Sequence, residues 1–174
     1  IKEANAVKII TALQEERWID DKSYVETYVR QNGLNGDKGP ALIRQKLITK
    51  GISKSVIDSC LVEVDFSNLI EKVAEKLLRK YQDKLPIRAL QDKIVQGLIN
   101  KGFTYDLARK TVGQLDISAD DNMEADLISK ELEKLYRKYS RKYDGYELKQ
   151  RLIQALARKG FEFDQIQAVL RNYL

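Results

Sequence analysis

Leu47-Ile48-Thr49-Lys50-Gly51-Ile52 is the stretch whose reading decides the fold, because it occurs three times. It returns as Leu98-Ile99-Asn100-Lys101-Gly102-Phe103 and as Leu156-Ala157-Arg158-Lys159-Gly160-Phe161. Eight residues before each glycine stands Ile43, Ile94 or Leu152, and ten residues after it Leu61, Val112 or Leu170. Apolar residues at positions −8 and −4 share one helical face. A lysine in the last turn meets the carbonyl end of that helix. The glycine then supplies a left-handed residue that a side chain would disfavour. Ser53 or Thr104 comes next as N-cap of a further helix. Ile52 with Ile57, and Phe161 with Ile166, are spaced as hydrophobic staples across that start. Glu162 replaces the hydroxyl cap in the last copy and predicts a weaker start. Three copies of helix, glycine turn and helix define a helical repeat.

Working outward, each unit gains a leading helix. Ile70, Val73, Leu77 and Tyr81 form the apolar row of one near 67–84, and Ile128, Leu132, Leu135 and Tyr139 that of another opening near 121. Leu77-Leu78-Arg79-Lys80-Tyr81 matches Leu135-Tyr136-Arg137-Lys138-Tyr139 at an offset of 58, which is also the offset from Gly102 to Gly160. In the first unit a helix over about 22–32 precedes Asn32-Gly33-Leu34-Asn35-Gly36-Asp37-Lys38-Gly39, which reads as a loop. Pro40 is suited to open the next helix, as is Leu85-Pro86 in the second unit. Residues 1–16 read as an amphipathic helix with Val7, Ile10 and Leu13 on one face. Trp18 and Ile19 are expected to pack while an aspartate caps the next helix. The fold class is all-α: tandem three-helix repeats forming an elongated, curved array. The expected divisions are 1–19, the closing helix of an incomplete preceding repeat, then repeats at 20–65, 66–115 and 116–174. The chain opens inside a helical pattern without methionine, so a preceding segment is expected to be missing.

Composition narrows the function classes. Charged residues make up 33%, with 2 prolines and 9 glycines, which suits helices joined by short connections. No run of ~18 apolar residues marks a membrane span, and no signal peptide is visible. Cys60 is the single cysteine, which excludes an internal disulfide and reads as a packed core thiol in a reducing cytoplasm. Without histidine, and with one cysteine, the usual zinc sites and catalytic triads are ruled out. No phosphate-binding glycine motif is present. Asp20-Asp21 and Asp120-Asp121 precede helical patterns and serve as helix-end acids rather than a metal site. No cofactor, metal or catalytic residue is expected, and an enzyme is the least supported class.

The formal net charge is +5, and its distribution is uneven. Residues 66–115 carry ten bases against five acids, whereas 1–19, 20–65 and 116–174 are each balanced. The densest cluster is Lys134, Arg137, Lys138, Arg141 and Lys142, interleaved with Tyr136, Tyr139 and Tyr143. At helical spacing Lys134, Lys138 and Arg141 share a face. A second, acid-free stretch holds Lys38, Arg44, Lys46, Lys50 and Lys54. Bases with aromatics between them track phosphates and stack on bases. The competing reading is a solvated face with the tyrosines packed inward. Lys50, Lys101 and Lys159 are attributed to helix-end electrostatics and set aside as binding residues. The helix after Gly51 shows Lys54, Asp58 and Glu63, too mixed for a major-groove reading helix.

Gly39-Pro40-Ala41-Leu42-Ile43-Arg44-Gln45-Lys46-Leu47, followed by Lys50-Gly51-Ile52, resembles the central motif of the RecX family of bacterial recombination regulators. Ile19-Asp20-Asp21, with Tyr24 and Val25 soon after, resembles that family's upstream signature, although Arg17 stands where the family often has glycine. The resemblance spans about 14–174 and is strongest over 17–61. It implies tandem three-helix units and a non-enzymatic modulator of RecA. Such a protein binds the RecA filament on single-stranded DNA and damps recombination and co-protease activity. The contact residues expected on acid-poor stretches are Arg44, Lys46, Arg79, Lys80, Arg137, Lys138 and Arg141. Single- or double-stranded DNA is a further expected partner through the basic faces, a monomer is expected, and no membrane. The alternative reading is a nucleic-acid-binding helical repeat that acts independently of RecA.

Overall fold

The structure, a computed structural model, describes residues 3–15, 20–117 and 121–173. All its regular elements there are helices: α1 (Glu3–Glu15), α2 (Asp21–Asn35), α3 (Pro40–Thr49), α4 (Lys54–Val62), α5 (Ser67–Tyr81), α6 (Ile87–Asn100), α7 (Tyr105–Gln114), α8 (Asp121–Tyr139), α9 (Gly145–Arg158) and α10 (Phe163–Tyr173). The expected packing of Trp18 and Ile19 lies outside the described residues.

The repeated motif behaves as its chemistry requires. Gly51, Gly102 and Gly160 have φ of +89°, +90° and +95°. At the first and last copies the glycine N–H reaches back to Ile48 or Ala157. The next N–H reaches Leu47 or Leu156, closing a Schellman turn. Ser53 Oγ accepts the Val56 N–H at 3.4 Å. Glu162 has no hydroxyl to offer, and the start of α10 is held differently: its N–H donates to Gln165 Oε1 at 3.3 Å, half of a capping box.

Contacts divide the chain into two compact units, 1–71 with 100–104, and 72–99 with 105–174. In the first, Val25, Val29, Ile43, Leu47, Ile52, Ile57, Cys60 and Leu61 form the buried core, with Tyr28, Ile48, Val56, Val64 and Phe66 against it. Cys60 is therefore the core thiol its sequence row indicated. In the second unit, Ile128, Leu132, Leu148, Leu152, Leu156, Phe161, Ile166 and Leu170 form one core. Leu90, Ile94, Leu98, Ala108 and Val112 are buried as well. Both anticipated staples, Ile52 with Ile57 and Phe161 with Ile166, lie in these cores.

The reading of 32–39 as a loop is corrected. Helix α2 continues to Asn35, and only 36–39 are irregular. The Gly36 N–H still bonds the Asn32 carbonyl at 2.8 Å, which extends the ladder past Gly33. Asn32 itself is buried, at 7% exposure. Its amide donates to the Lys38 carbonyl at 2.7 Å and its oxygen accepts the Lys38 N–H at 3.3 Å. One buried side chain thus replaces the backbone partners of the turn. Two further boundaries move. Helix α5 stops at Tyr81, and 82–84 fold as a turn in which the Lys84 N–H bonds the Tyr81 carbonyl at 3.0 Å. Pro86 precedes α6 rather than opening it, and its carbonyl accepts the Leu90 N–H at 2.8 Å. On α1, Val7 and Ile10 are 60% and 48% exposed.

Candidate partner-binding surface

The seven bases expected to contact a partner are all exposed, but their electrostatic situations differ. Arg44 on α3 donates to Asp58 on α4 at 2.7 Å. Arg79 and Arg137 each pair with a glutamate one helical turn earlier, Glu75 at 3.1 Å and Glu133 at 3.6 Å. Lys46, Lys80, Lys138 and Arg141 have no carboxylate partner among the described residues. An exposed pair contributes at most about 1 kcal/mol, yet it cancels local charge. The four unpaired bases are the part of the set whose charge is open to a partner.

The shared face expected for Lys134, Lys138 and Arg141 is not formed. Helix α8 ends at Tyr139, and Arg141 lies in the following turn, where the Lys142 and Tyr143 N–H groups both bond the Tyr139 carbonyl at 3.0 Å. Lys134 is tied to Glu131 at 3.0 Å. The tyrosines between these bases are half-buried against the core of the second unit. Tyr136 meets Tyr173 edge to face at 5.3 Å, and the Arg151 guanidinium lies 3.8 Å from the Tyr143 centroid. They are packed residues rather than free stacking platforms.

The lysines of the three repeats do more than face a helix end. Lys101 is bonded to Asp37. Lys159 reaches Glu131 at 3.0 Å. Lys50 lies 5.4 Å from the Tyr24 ring centroid, and a hydrogen bond with that phenol raises its pKa. Spacing within the motif shows the lysine, but its partner is remote in sequence. Glu131 is held from two sides, and its pKa falls below the ordinary value. The Lys134 hydrogen bond is the leading cause and Lys159 adds to it. Beside it runs a groove of about 370 Å³ lined by Lys84, Pro86, Leu127, Lys130, Lys134 and Phe161, among others.

Glu124 escaped the sequence reading. It is 6% exposed, at the start of α8. Its carboxylate accepts the Ile87 N–H at the head of α6 at 3.4 Å and the Gln165 amide at 3.0 Å. Its place in an acid-rich run gave no hint, because only the burial singles it out. Among the described residues no group of histidine, cysteine, aspartate or glutamate could hold a metal ion. No described helix is long and apolar enough to cross a membrane.

The family pattern described as RecX, second three-helix domain, matches residues 20–61. The pattern described as RecX, third three-helix domain, matches twice, over 63–112 and 122–170. This chain belongs to the RecX family. It is 57% identical over 166 residues to the regulatory protein RecX of Streptococcus pyogenes serotype M5 (strain Manfredo), covering 95% of this chain and 64% of that one. It is 56% identical over its whole length to the regulatory protein RecX of serotype M1, covering 67% of it. The chain thus spans about two-thirds of the length of these RecX relatives. The crystal structure of RecX from Lactobacillus salivarius aligns with a TM-score of 0.61 at 34% identity, over 68% of this chain and 78% of that one. A second crystal structure of regulatory protein RecX aligns with a TM-score of 0.55 at 35% identity, over 62% and 54%. The double match of the third RecX domain pattern agrees with the offset of 58 that relates Gly102 to Gly160.

Proposed function

We propose that this chain is a non-enzymatic cytoplasmic regulator of RecA that binds the RecA filament on single-stranded DNA by direct contact and damps recombination and co-protease activity. The observation that carries the reading is family membership across both three-helix patterns, with relatives named as regulatory proteins. The chemistry of the chain is compatible with it. Basic helical repeats offer long surfaces to a partner, and a filament bearing DNA phosphates attracts them in a salt-sensitive way. The division into a closing helix over 1–19 and repeats over 20–65, 66–115 and 116–174, acting as a monomer, belongs to this proposal. So do the contacts through Arg44, Lys46, Arg79, Lys80, Arg137, Lys138 and Arg141. Within that set the unpaired Lys46, Lys80, Lys138 and Arg141 carry the larger share.

The test is RecA's DNA-dependent ATP hydrolysis as the chain is titrated in. Inhibition well below one chain per RecA monomer supports a regulator of the filament. Reversing the charge of Arg137, Lys138 and Arg141 together should weaken that inhibition. Undiminished inhibition by the triple variant removes those residues from the surface, and no inhibition by the parent chain rejects the reading.

A further inference from the structure

Helices α3 and α6 each begin against one of the repeated glycine turns. A Cβ on Gly102 would meet the Leu42 nitrogen at 2.6 Å, and one on Gly160 would meet the Ala89 nitrogen at 3.0 Å. Leu42 and Ala89 are each the third residue of their helix, so the two junctions correspond. They are filled differently. At the first, the Gly39 N–H bonds the Lys101 carbonyl at 2.6 Å, and the Asp37 carboxylate takes the Lys101 ammonium group. The chain's own acidic loop thus covers that turn. At the second, Pro86 stands where Gly39 does, one residue before the helix, and has no N–H to donate. Lys84 stands where Asp37 does, three residues before the first helical residue, so a base replaces the acid.

The groove of about 370 Å³ lies at this second junction. Leu85, Pro86, Leu127 and Phe161 give it an apolar floor, and Lys84, Lys130, Lys134 and Lys159 stand around it. Its acids are Asp83 and Glu131, so four ammonium groups face two carboxylates. Lys134 and Lys159 are tied to Glu131, each at 3.0 Å. Lys84 and Lys130 are exposed and have no carboxylate partner among the described residues. An apolar floor with an uncompensated cationic rim is the complement of an apolar side chain flanked by carboxylates.

We infer that this groove docks an acidic peptide segment of a partner protein, with a large apolar side chain on the floor and carboxylates on Lys84 and Lys130. The first junction supplies the precedent. There an aspartate and a backbone N–H of the irregular 36–39 segment occupy the corresponding turn. A peptide brings the same two groups, because its main-chain N–H supplies the donor that Pro86 lacks and its acids restore the charge that Lys84 reverses. A phosphodiester strand offers the charge without a main-chain N–H or an aliphatic side chain for the floor. The inference does not rest on the RecA reading, because neither the groove nor its test involves RecA.

The experiment is fluorescence anisotropy of a labelled short peptide, a Leu-Phe pair flanked on both sides by Asp and Glu, titrated with the full chain. Salt is held at about 0.1 M, where charges beyond about 10 Å are screened. The parent should bind this peptide, and a version with serines in place of Leu-Phe about tenfold more weakly. K84A/K130A should weaken binding about fivefold or more. K110A/K149A removes the same charge from exposed lysines that do not line the groove, and it should cost less than about twofold. Lys84→Asp rebuilds the arrangement of Asp37 and Lys101, and it should abolish binding. Circular dichroism melts of each variant establish that it is folded. A parent chain that does not bind the peptide, or binds the serine version equally well, overturns the assignment. So do equal losses in the two double variants. An oligo-dT strand that shows the same loss on K84A/K130A would assign the groove to phosphate charge instead and reject the peptide.

Discussion

The carbonyl oxygen of Gly102 accepts the backbone N–H of Ala41 at 3.1 Å. The neighbouring Lys101 carbonyl takes the Gly39 N–H at 2.6 Å. A Cβ on Gly102 would lie 2.6 Å from the Leu42 nitrogen. The second glycine turn thus serves two purposes, the left-handed bend and a backbone-to-backbone seat on the head of α3.

Gly51 has the same conformation, but a methyl group added there would meet nothing within 4 Å. Gly51→Ala should therefore lose only the left-handed penalty, about 1–2 kcal/mol. Gly102→Ala should lose at least ~1 kcal/mol more, because the seat on α3 has to open. Urea denaturation of the two variants makes the comparison. Equal losses would show that the close approach contributes nothing.

Gly33 and Gly113 point the other way. Both sit inside helices, in α2 and α7, are exposed, and have open space around them. Alanine at either position should stabilise the chain by about 0.5–1 kcal/mol through helix propensity and reduced freedom of the unfolded chain. A fall in melting temperature for Gly33→Ala would count against the continuous α2.

Asn32 is the brace of the 36–39 turn. Asn32→Ala should remove both bonds to Lys38 and leave part-buried backbone groups without their partner, at a cost of about 1–3 kcal/mol. Asn32→Asp retains the acceptor but not the donor, and should fall between the two. Thermal melts at neutral pH order the three proteins, and an unchanged Asn32→Ala would refute the brace.

Glu124→Ala should be costlier than its exposed neighbours. It strands the part-buried Ile87 N–H and Gln165 amide, and about 1–3 kcal/mol is expected. Asp126→Ala, an exposed acid on the same helix, should change stability by less than about 0.5 kcal/mol. Chemical denaturation of the pair tests the contrast.

Glu131 gives a pH dependence of definite sign. Lys134 first, and Lys159 with it, hold its pKa below the ordinary 4.5. The charged form is favoured in the folded chain, so its contribution is present above about pH 4.5 and fades as pH falls through the lowered value. Glu131→Gln should thus be less stable than the parent at neutral pH, and the gap should close in acid below that window. A gap independent of pH would show that the carboxylate charge is not what Lys134 and Lys159 stabilise.

Much of the fold is legible in the sequence for a local reason. Helix periodicity, the Lys-Gly turn, Pro40 and the Ser53 cap act over one to ten residues, so the one-dimensional pattern contains them. Residues 32–39 read as a loop because Gly33 and Asn35 have turn chemistry. What opposes them is a buried amide bridging to Lys38, which only packing creates. The bases are equally visible, but their pairing is not. Arg44 meets Asp58 across fourteen positions and Lys159 meets Glu131 across twenty-eight.

By itself the sequence determined an all-helical chain of repeated three-helix units, its left-handed glycine turns, its core rows and its surplus of positive charge. Each of these follows from residue type and spacing along the chain. The tertiary structure alone decided which bases stay unneutralised, that Glu124 is buried at the head of α6, and that Lys84 and Lys159 share one groove. Those depend on side chains from different helices arriving within a few ångströms, where Coulomb attraction and hydrogen bonding act, and no one-dimensional spacing encodes that meeting.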